Sequence, residues 1–345
     1  MPDTLSSQGF LMPAEWGQHS ATWLSWPKNT ETFPKSAIGK VENAFCEMIR
    51  ALSSGEKVKI LVDSDSEEQR VERILTAEGA YSGDVLFSRI KSSDVWVRDY
   101  CPIFITNRKT GKKAAVKWVF NAWGGKYGDL KEDDKAGEKI GRGLESAGIR
   151  VFRPGIVLEG GSIDVNGEGA LLTTEQCLLN KNRNPSLSKS RINTYLSDYF
   201  GASRVVWLKE GIEGDDTDGH VDDFARFVSK NTVICAREKS RGDPNHAALE
   251  TGAALLTSSG FDAIPIPMPS PIIDQGENRR LPASYANFYI ANRCVLLPVF
   301  GDKCDEEAAE IIGSCFAGRE IVPINAKELV HGYGGIHCVT QQEPK

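Results

Sequence analysis

Histidine is scarce in this chain, with five in 345 residues, and none stands at H-x-x-x-H or H-E-x-x-H spacing. That removes the usual helical arrangements of a zinc hydrolase. Eight cysteines lie singly at 46, 101, 177, 235, 294, 304, 315 and 338, without a C-x-x-C pair. Neither a disulfide framework nor a structural zinc site is expected, and a reducing cytoplasm is the natural setting. The net charge of -6 leaves no basic footprint for nucleic acid. No uninterrupted apolar run is long enough to span a bilayer, so no membrane partner is expected. The polar stretch Met1–Phe10 lacks a charged n-region followed by an apolar run, so no signal peptide is expected. No Pro/Gly/Ser linker divides the chain, and residues 1–345 are expected to form one catalytic domain.

What is present is an alternation of helical and β-rich runs. Apolar spacing predicts helices over 36–53, 67–78, 133–147, 186–200, 246–258 and 305–316. Strands are predicted over 57–62, 84–90, 169–179, 204–208, 224–236, 261–266, 288–300 and 320–324. Five segments break this background by joining polar residues to a β-like run. They are Asp94-Val-Trp-Val-Arg-Asp99, Leu158-Glu-Gly-Gly-Ser162, Gly219-His-Val-Asp222, Tyr285-Ala-Asn-Phe-Tyr289 and Gly335-Ile-His-Cys338. With Asp99, Glu159, Asp222, Phe288 and Cys338 as markers, the spacings are 60, 63, 66 and 50 residues. A near-constant period of that size predicts a radial or solenoid repeat.

The segments carry the chemistry. Gly332, Gly334 and Gly335 allow backbone conformations closed to other residues and close approach of a ligand, which presents Cys338 on the β-prone run that follows. In 94–99, strand alternation puts Asp94, Trp96 and Arg98 on one face and Asp99 on the other. The acidic stretch Gly214–Asp223 resembles a calcium loop, but with Gly219 at the sixth position the first and twelfth fall on Gly214 and Ala225, so the template fails. On a strand, His220 and Asp222 would instead share one side, a pairing suited to proton transfer. His337, next to Cys338, would point away from the thiol's side. One thiol, one histidine and several acids suit a cationic electrophile better than an acyl substrate, and the local cysteine-protease signatures are missing. A guanidinium is such an electrophile, gripped bidentately by carboxylates.

Trp96-Val-Arg-Asp99, Leu158-Glu-Gly-Gly161, Gly214-Asp-Asp-Thr-Asp-Gly-His-Val-Asp222, Tyr285-Ala-Asn-Phe-Tyr-Ile-Ala-Asn292 and Gly334-Gly-Ile-His-Cys-Val-Thr-Gln-Gln342 together resemble the agmatine deiminases and their bacterial peptidylarginine deiminase relatives, guanidine-modifying enzymes. The resemblance runs from Met12 to Gln342. It implies a pentein-like α/β propeller with five-fold pseudosymmetry and hydrolysis of agmatine to N-carbamoylputrescine and ammonia, a step of polyamine (putrescine) biosynthesis from arginine. It also implies Cys338 as nucleophile, His220 as general acid and base, Glu159 paired with His220, Asp99 and Asp222 as the guanidinium clamp, and Trp96 against the substrate. No metal or organic cofactor is implied; a homodimer is. Cys101 stands where the family usually has glycine. Arg226, in Ala225-Arg-Phe227, could meet a carboxylate that agmatine lacks or form a structural ion pair. Arginine or peptidylarginine deimination, and amidino transfer to an amine, are the alternative reactions.

Overall fold

Five times along the chain an antiparallel pair of strands is followed by a helix and a third strand lying parallel to the second. The computed structural model describes residues 4–276 and 278–345, so the first three residues of the Met1–Phe10 segment lie outside it. One unit pairs Ile103–Asn107 with Lys113–Val116, crosses over by the helix Asp133–Ser146 and returns in Arg150–Phe152. The same order recurs with the helices Lys189–Phe200, Asn245–Ser258 and Asp305–Cys315. In the remaining unit, built on the helix Ile38–Leu52, the first strand is Gln341–Pro344, which pairs antiparallel with His19–Ser25. The end of the sequence thus completes the unit that its beginning opens. This is the α/β fold of five like units that the marker spacing predicts.

Each crossover helix buries one stripe. On Ile38–Leu52 it is Val41, Ala44, Phe45, Met48, Ile49 and Leu52, each fully buried aliphatic or aromatic contributing about 1.5–3 kcal/mol over exposure. The parallel strands between helices and core are correspondingly apolar, as in Lys57–Val62 and Cys294–Val299. No helix among the described residues is long and apolar enough to cross a membrane.

Several long β-rich runs are shorter in the fold. The predicted strand 169–179 ends at Thr174, whose hydroxyl accepts from the Cys177 N–H at 3.1 Å and starts the helical turn Glu175–Leu178. The run 224–236 folds into Ala225–Phe227 and Thr232–Arg237, with Ser229 Oγ accepting from Thr232 N at 3.1 Å in the turn between them. The run 288–300 likewise divides into Tyr289–Ile290 and Cys294–Val299.

The five polar segments occupy equivalent places, each leading into the first strand of its unit. Turns take the place of the expected strands, the fourth segment turning at 285–286 and entering a strand at Tyr289: Val97–Tyr100 is a single α-turn, while Gly160–Ser162 and Val221–Asp223 are 3-10 turns. Residues 336–339 form a further turn before Gln341–Pro344. The first of these turns packs on the second and the second on the third. This stacking brings residues far apart in sequence to one place.

Candidate active site

The turn geometry corrects two face assignments. Asp94 Oδ1 accepts from the Val95 N–H at 2.8 Å and Cys101 N donates to Val97 O at 3.0 Å, so the chain coils at 97–100. Trp96 and Asp99, three apart on that turn, both line one pocket, whereas strand alternation separates them. Arg98 turns inward, with Nη1 on Gln342 Oε1 at 2.7 Å and Nε on His337 O at 3.2 Å. His337 does not point away from the catalytic side. Its Nδ1 lies 2.6 Å from Asp222 Oδ2. Likewise His220 and Asp222 approach each other across a 3-10 turn and not along a strand, at 4.0 Å.

Cys338 ends a narrow pocket of about 20 Å³ lined also by Trp96, Asp99, Trp123, Thr217 and Tyr333. Its Sγ receives the Asn287 Nδ2 donor at 3.3 Å and lies 4.0 Å from Asp222 Oδ2. Asn287 Nδ2 also donates to Asp223 Oδ1 at 2.9 Å, and Asn287 Oδ1 accepts from His337 N at 2.8 Å. Burial, then the carboxyls of Asp222, Asp223 and Asp99, push the thiol well above its ordinary pKa, with the Gly335 N–H opposing. In the resting site the sulfur therefore keeps its proton.

The acids differ among themselves. Burial, together with Asp222 and Glu159, pushes Asp99 up to about 8, although Gly161 N donates to its Oδ1 at 3.0 Å and the Trp123 indole to its Oδ2 at 2.9 Å. Burial works the same way on Asp222, yet the hydrogen bond and charge of His337 hold that carboxyl below its ordinary value. Glu159 is raised by burial against the opposing pull of Arg183, whose Nε donates to Glu159 Oε1 at 2.6 Å. Glu159 Oε2 and His220 Nε2 both lack a partner, so the Glu159–His220 pair that the resemblance implies is not hydrogen-bonded in this state. A Glu159 oxygen, Cys177 Sγ and a His220 ring nitrogen nevertheless lie within 4.8 Å of one another. Asp222, Asp223 and Cys338 form a second such group among the described residues. Burial drives His220 down to about 3, Arg183 and Lys126 acting in the same sense and Asp222 and Asp218 against it. Its Nδ1 stands 3.9 Å from Asp99 Oδ1. The free pocket holds a neutral imidazole, a neutral thiol and a deficit of positive charge.

The walls are aromatic, and two glycines explain how closely they pack. A Cβ on Gly334 would fall 2.4 Å from Trp96 Cζ3, and one on Gly161 would fall 2.6 Å from His220 Nδ1. The left-handed backbone in the 332–335 run belongs to Tyr333, at φ 66°, and to none of the three glycines, whose role is close approach. Trp123 is held at φ 50°. Strained residues on both walls fix the aperture, as at many ligand sites. Outside it lies a wider cleft of about 280 Å³ that shares Trp96, Trp123 and Tyr333 and adds Glu31, Asp129 and Arg279.

Arg226 reaches neither space. It is fully buried, with Nη2 on Glu15 Oε1 at 2.8 Å and Nη1 on Phe288 O at 2.7 Å. The ion-pair alternative is the one realised. Phe288, the marker of the fourth segment, is a core residue, and its neighbour Asn287 touches the thiol. Cys101 is buried in the core, where desolvation raises its thiol. His19 is buried on Glu15 O and Glu56, and His246 Nδ1 donates to Glu238 O. The motifs do not reveal Trp123, Arg183 or Glu15 as parts of the site. Glu15 stands in the tryptophan-rich opening segment, the one available signal for it.

A family model for Porphyromonas-type peptidyl-arginine deiminase matches residues 11–344. The putative agmatine deiminase of Legionella pneumophila strain Philadelphia 1 is 37% identical over 345 residues, covering 98% of this chain and 95% of that protein. Agmatine deiminase of Stutzerimonas stutzeri is 36% identical over 372 residues, covering 100% and 98%. The solved agmatine deiminase of Enterococcus faecalis superposes with a TM-score of 0.89 at 32% identity, covering 99% of this chain and 98% of its own.

Proposed function

Because this chain belongs to the family of agmatine deiminases and Porphyromonas-type peptidyl-arginine deiminases, we propose that it hydrolyses agmatine to N-carbamoylputrescine and ammonia with Cys338 as the nucleophile. The supporting observation is the placing of Cys338 Sγ among Asp222, Asp223 and Asp99 at the end of an aromatic-walled pocket. The same carboxyls that keep the thiol protonated attract a guanidinium, and the cation on arrival cancels the field that held the proton.

With Asp99 and Asp222 gripping the N–H groups and Trp96 and Trp123 along the aliphatic stem, sulfur attacks the central carbon. The C–S bond forms, the thiol proton passes through His220 to a terminal nitrogen, and the C–N bond breaks to release ammonia. An S-amidino intermediate remains on Cys338. Water then adds to the same carbon, one of its protons returns through His220 to the sulfur, the other passes to solvent, where the ammonia released earlier takes it up as ammonium, and the C–S bond breaks to give the ureido product. Glu159 Oε2, partnerless in the free site, accepts from His220 or from the substrate as charge moves. The balance needs only water, and no cofactor takes part.

The tail of the substrate is read at the rim. Glu31 and Asp129 are exposed there, while Arg279 is already engaged by Asp216 and Gly214 O. That rim favours the ammonium of agmatine and offers a carboxylate little, and Arg226 cannot serve one from its buried position. Eight unpaired cysteines suit a cytoplasmic setting. The test is ureido product and ammonia release with agmatine, arginine and a peptide ending in arginine compared side by side. Agmatine is expected to lead in kcat/KM by about 100-fold, equivalent to roughly 2.7 kcal/mol. Preference for either arginine compound would overturn the substrate assignment, and transfer to an added amine in place of water would overturn the hydrolysis.

A further inference from the structure

His337 is buried beneath the pocket with a carboxylate on each ring nitrogen: Asp222 Oδ2 at 2.6 Å from Nδ1 and Glu15 Oε2 at 2.8 Å from Nε2. A neutral imidazole has one N–H and could donate to only one of them. Glu15 Oε1 takes Arg226 Nη2 at 2.8 Å and Ile290 N at 2.9 Å, and Arg98 Nη2 lies 3.5 Å from Oε2. So surrounded, Glu15 stays ionised: burial opposes this, but Arg226, His337 and Arg98 hold its carboxyl well below the usual range. The buried cluster then contains the carboxylates of Glu15, Asp222 and Asp164, the last 3.6 Å from Arg226 Nε, against the two guanidiniums. A neutral His337 leaves one buried negative charge uncompensated, which costs several kcal/mol. A doubly protonated His337 balances it.

We infer that His337 is a buried imidazolium that acts as a positioning residue, fixing Asp222 through its Oδ2 so that Oδ1 stays ionised and free for the guanidinium. Asp222 Oδ1 has no partner in the structure, as this requires. The inference rests on the reading of Asp222 as a guanidinium clamp. The groups facing the Asp222–His337 pair are Asp99, His220, Asp223 and Cys338 on the pocket side and Glu15, Arg98, Arg226 and Asp164 on the core side. His337 touches Asp222 with a short charge-assisted hydrogen bond.

The direct test is ¹⁵N spectroscopy of the wild-type protein labelled at its histidine rings. His337 is expected to show both nitrogens protonated at pH 7; one bare ring nitrogen there overturns the inference. Assignment uses loss of the signal in His337→Gln, or elimination through variants of the other four histidines should His337→Gln not fold. The kinetic arm uses His337→Gln, which keeps a donor and removes the charge. KM for agmatine is expected to rise about tenfold with kcat changed less than about threefold, and the acid limb of kcat/KM to move up by about one pH unit. A merely structural role would lower Tm and leave KM and the acid limb in place, which contradicts the inference. If the protein releases ureido product from no guanidine at all, the catalytic reading fails, and the ring spectrum still decides the state of His337.

Discussion

Asp99 and Asp222 approach the same histidine, His220 Nδ1, at 3.9 and 4.0 Å, and both are buried, yet they arrive with opposite protonation tendencies. Asp99 receives neutral donors, the Gly161 N–H and the Trp123 indole, and its carboxyl rises to about 8. The region around Asp222 offers the His337 ring, itself tied to Glu15, and the carboxyl falls below its ordinary value. The proposed guanidinium clamp is then half discharged at rest. Two buried carboxylates without a cation repel each other, and giving one a proton until the substrate arrives lowers that cost.

Asp222→Asn should break the comparison most, because it removes the carboxylate that is ionised throughout; kcat/KM for agmatine is expected to fall by about 10³-fold or more. Asp99→Asn replaces a group that is mostly neutral at pH 7 by a near-isosteric amide, so the loss should be about 10- to 100-fold. Equal losses from the two would remove the asymmetry.

Proton release sharpens it further. The folded pKa of Asp99 lies above its ordinary value, so the native state binds more protons and this contribution to stability declines as pH rises from about 4 to about 8. A bound cation reverses the trend by favouring the carboxylate. Titration calorimetry of agmatine into Cys338→Ala, in buffers of different ionisation enthalpy, should show release of up to about one proton at pH 7 that Asp99→Asn abolishes. A smaller effect is expected from Trp123→Phe, which deletes the indole donor 2.9 Å from Asp99 Oδ2. A loss of about 1 kcal/mol, roughly fivefold in kcat/KM, should accompany a further rise of the Asp99 pKa, seen as an upward shift of the corresponding limb in the pH profile.

Some strands were legible from their apolar runs, as in Lys57–Val62 and Arg204–Leu208, whose limits coincide with the predicted ones, whereas the buried His19–Ser25 and Ile103–Asn107 were not predicted as strands. The turns were not. Val97–Tyr100 is one helical turn, too short to show a period, and its apolar-polar alternation reads as a strand. The same ambiguity hid the side on which His337 lies. Asp99, Glu159, Asp222, His220 and Cys338 could be named from their motifs, and the fold gathers them by stacking turns from different units. Glu15 could not be, because its meaning comes from Arg98, Arg226 and His337, partners 83, 211 and 322 residues away. Nor does sequence show that Gly334 and Gly161 exist for want of room beside Trp96 and His220, and not for their dihedral freedom.

Cys338 as a covalent nucleophile is the claim on which the rest depends. Acid quenching during steady-state turnover of agmatine, followed by digestion and mass spectrometry, tests it most directly. The account predicts an adduct with the mass of agmatine less ammonia on the peptide bearing Cys338, present in wild type and absent in Cys338→Ala, which should also have lost at least about 10⁴-fold in kcat. Undiminished ammonia release by Cys338→Ala, or the adduct on Cys177 or another thiol, would contradict it.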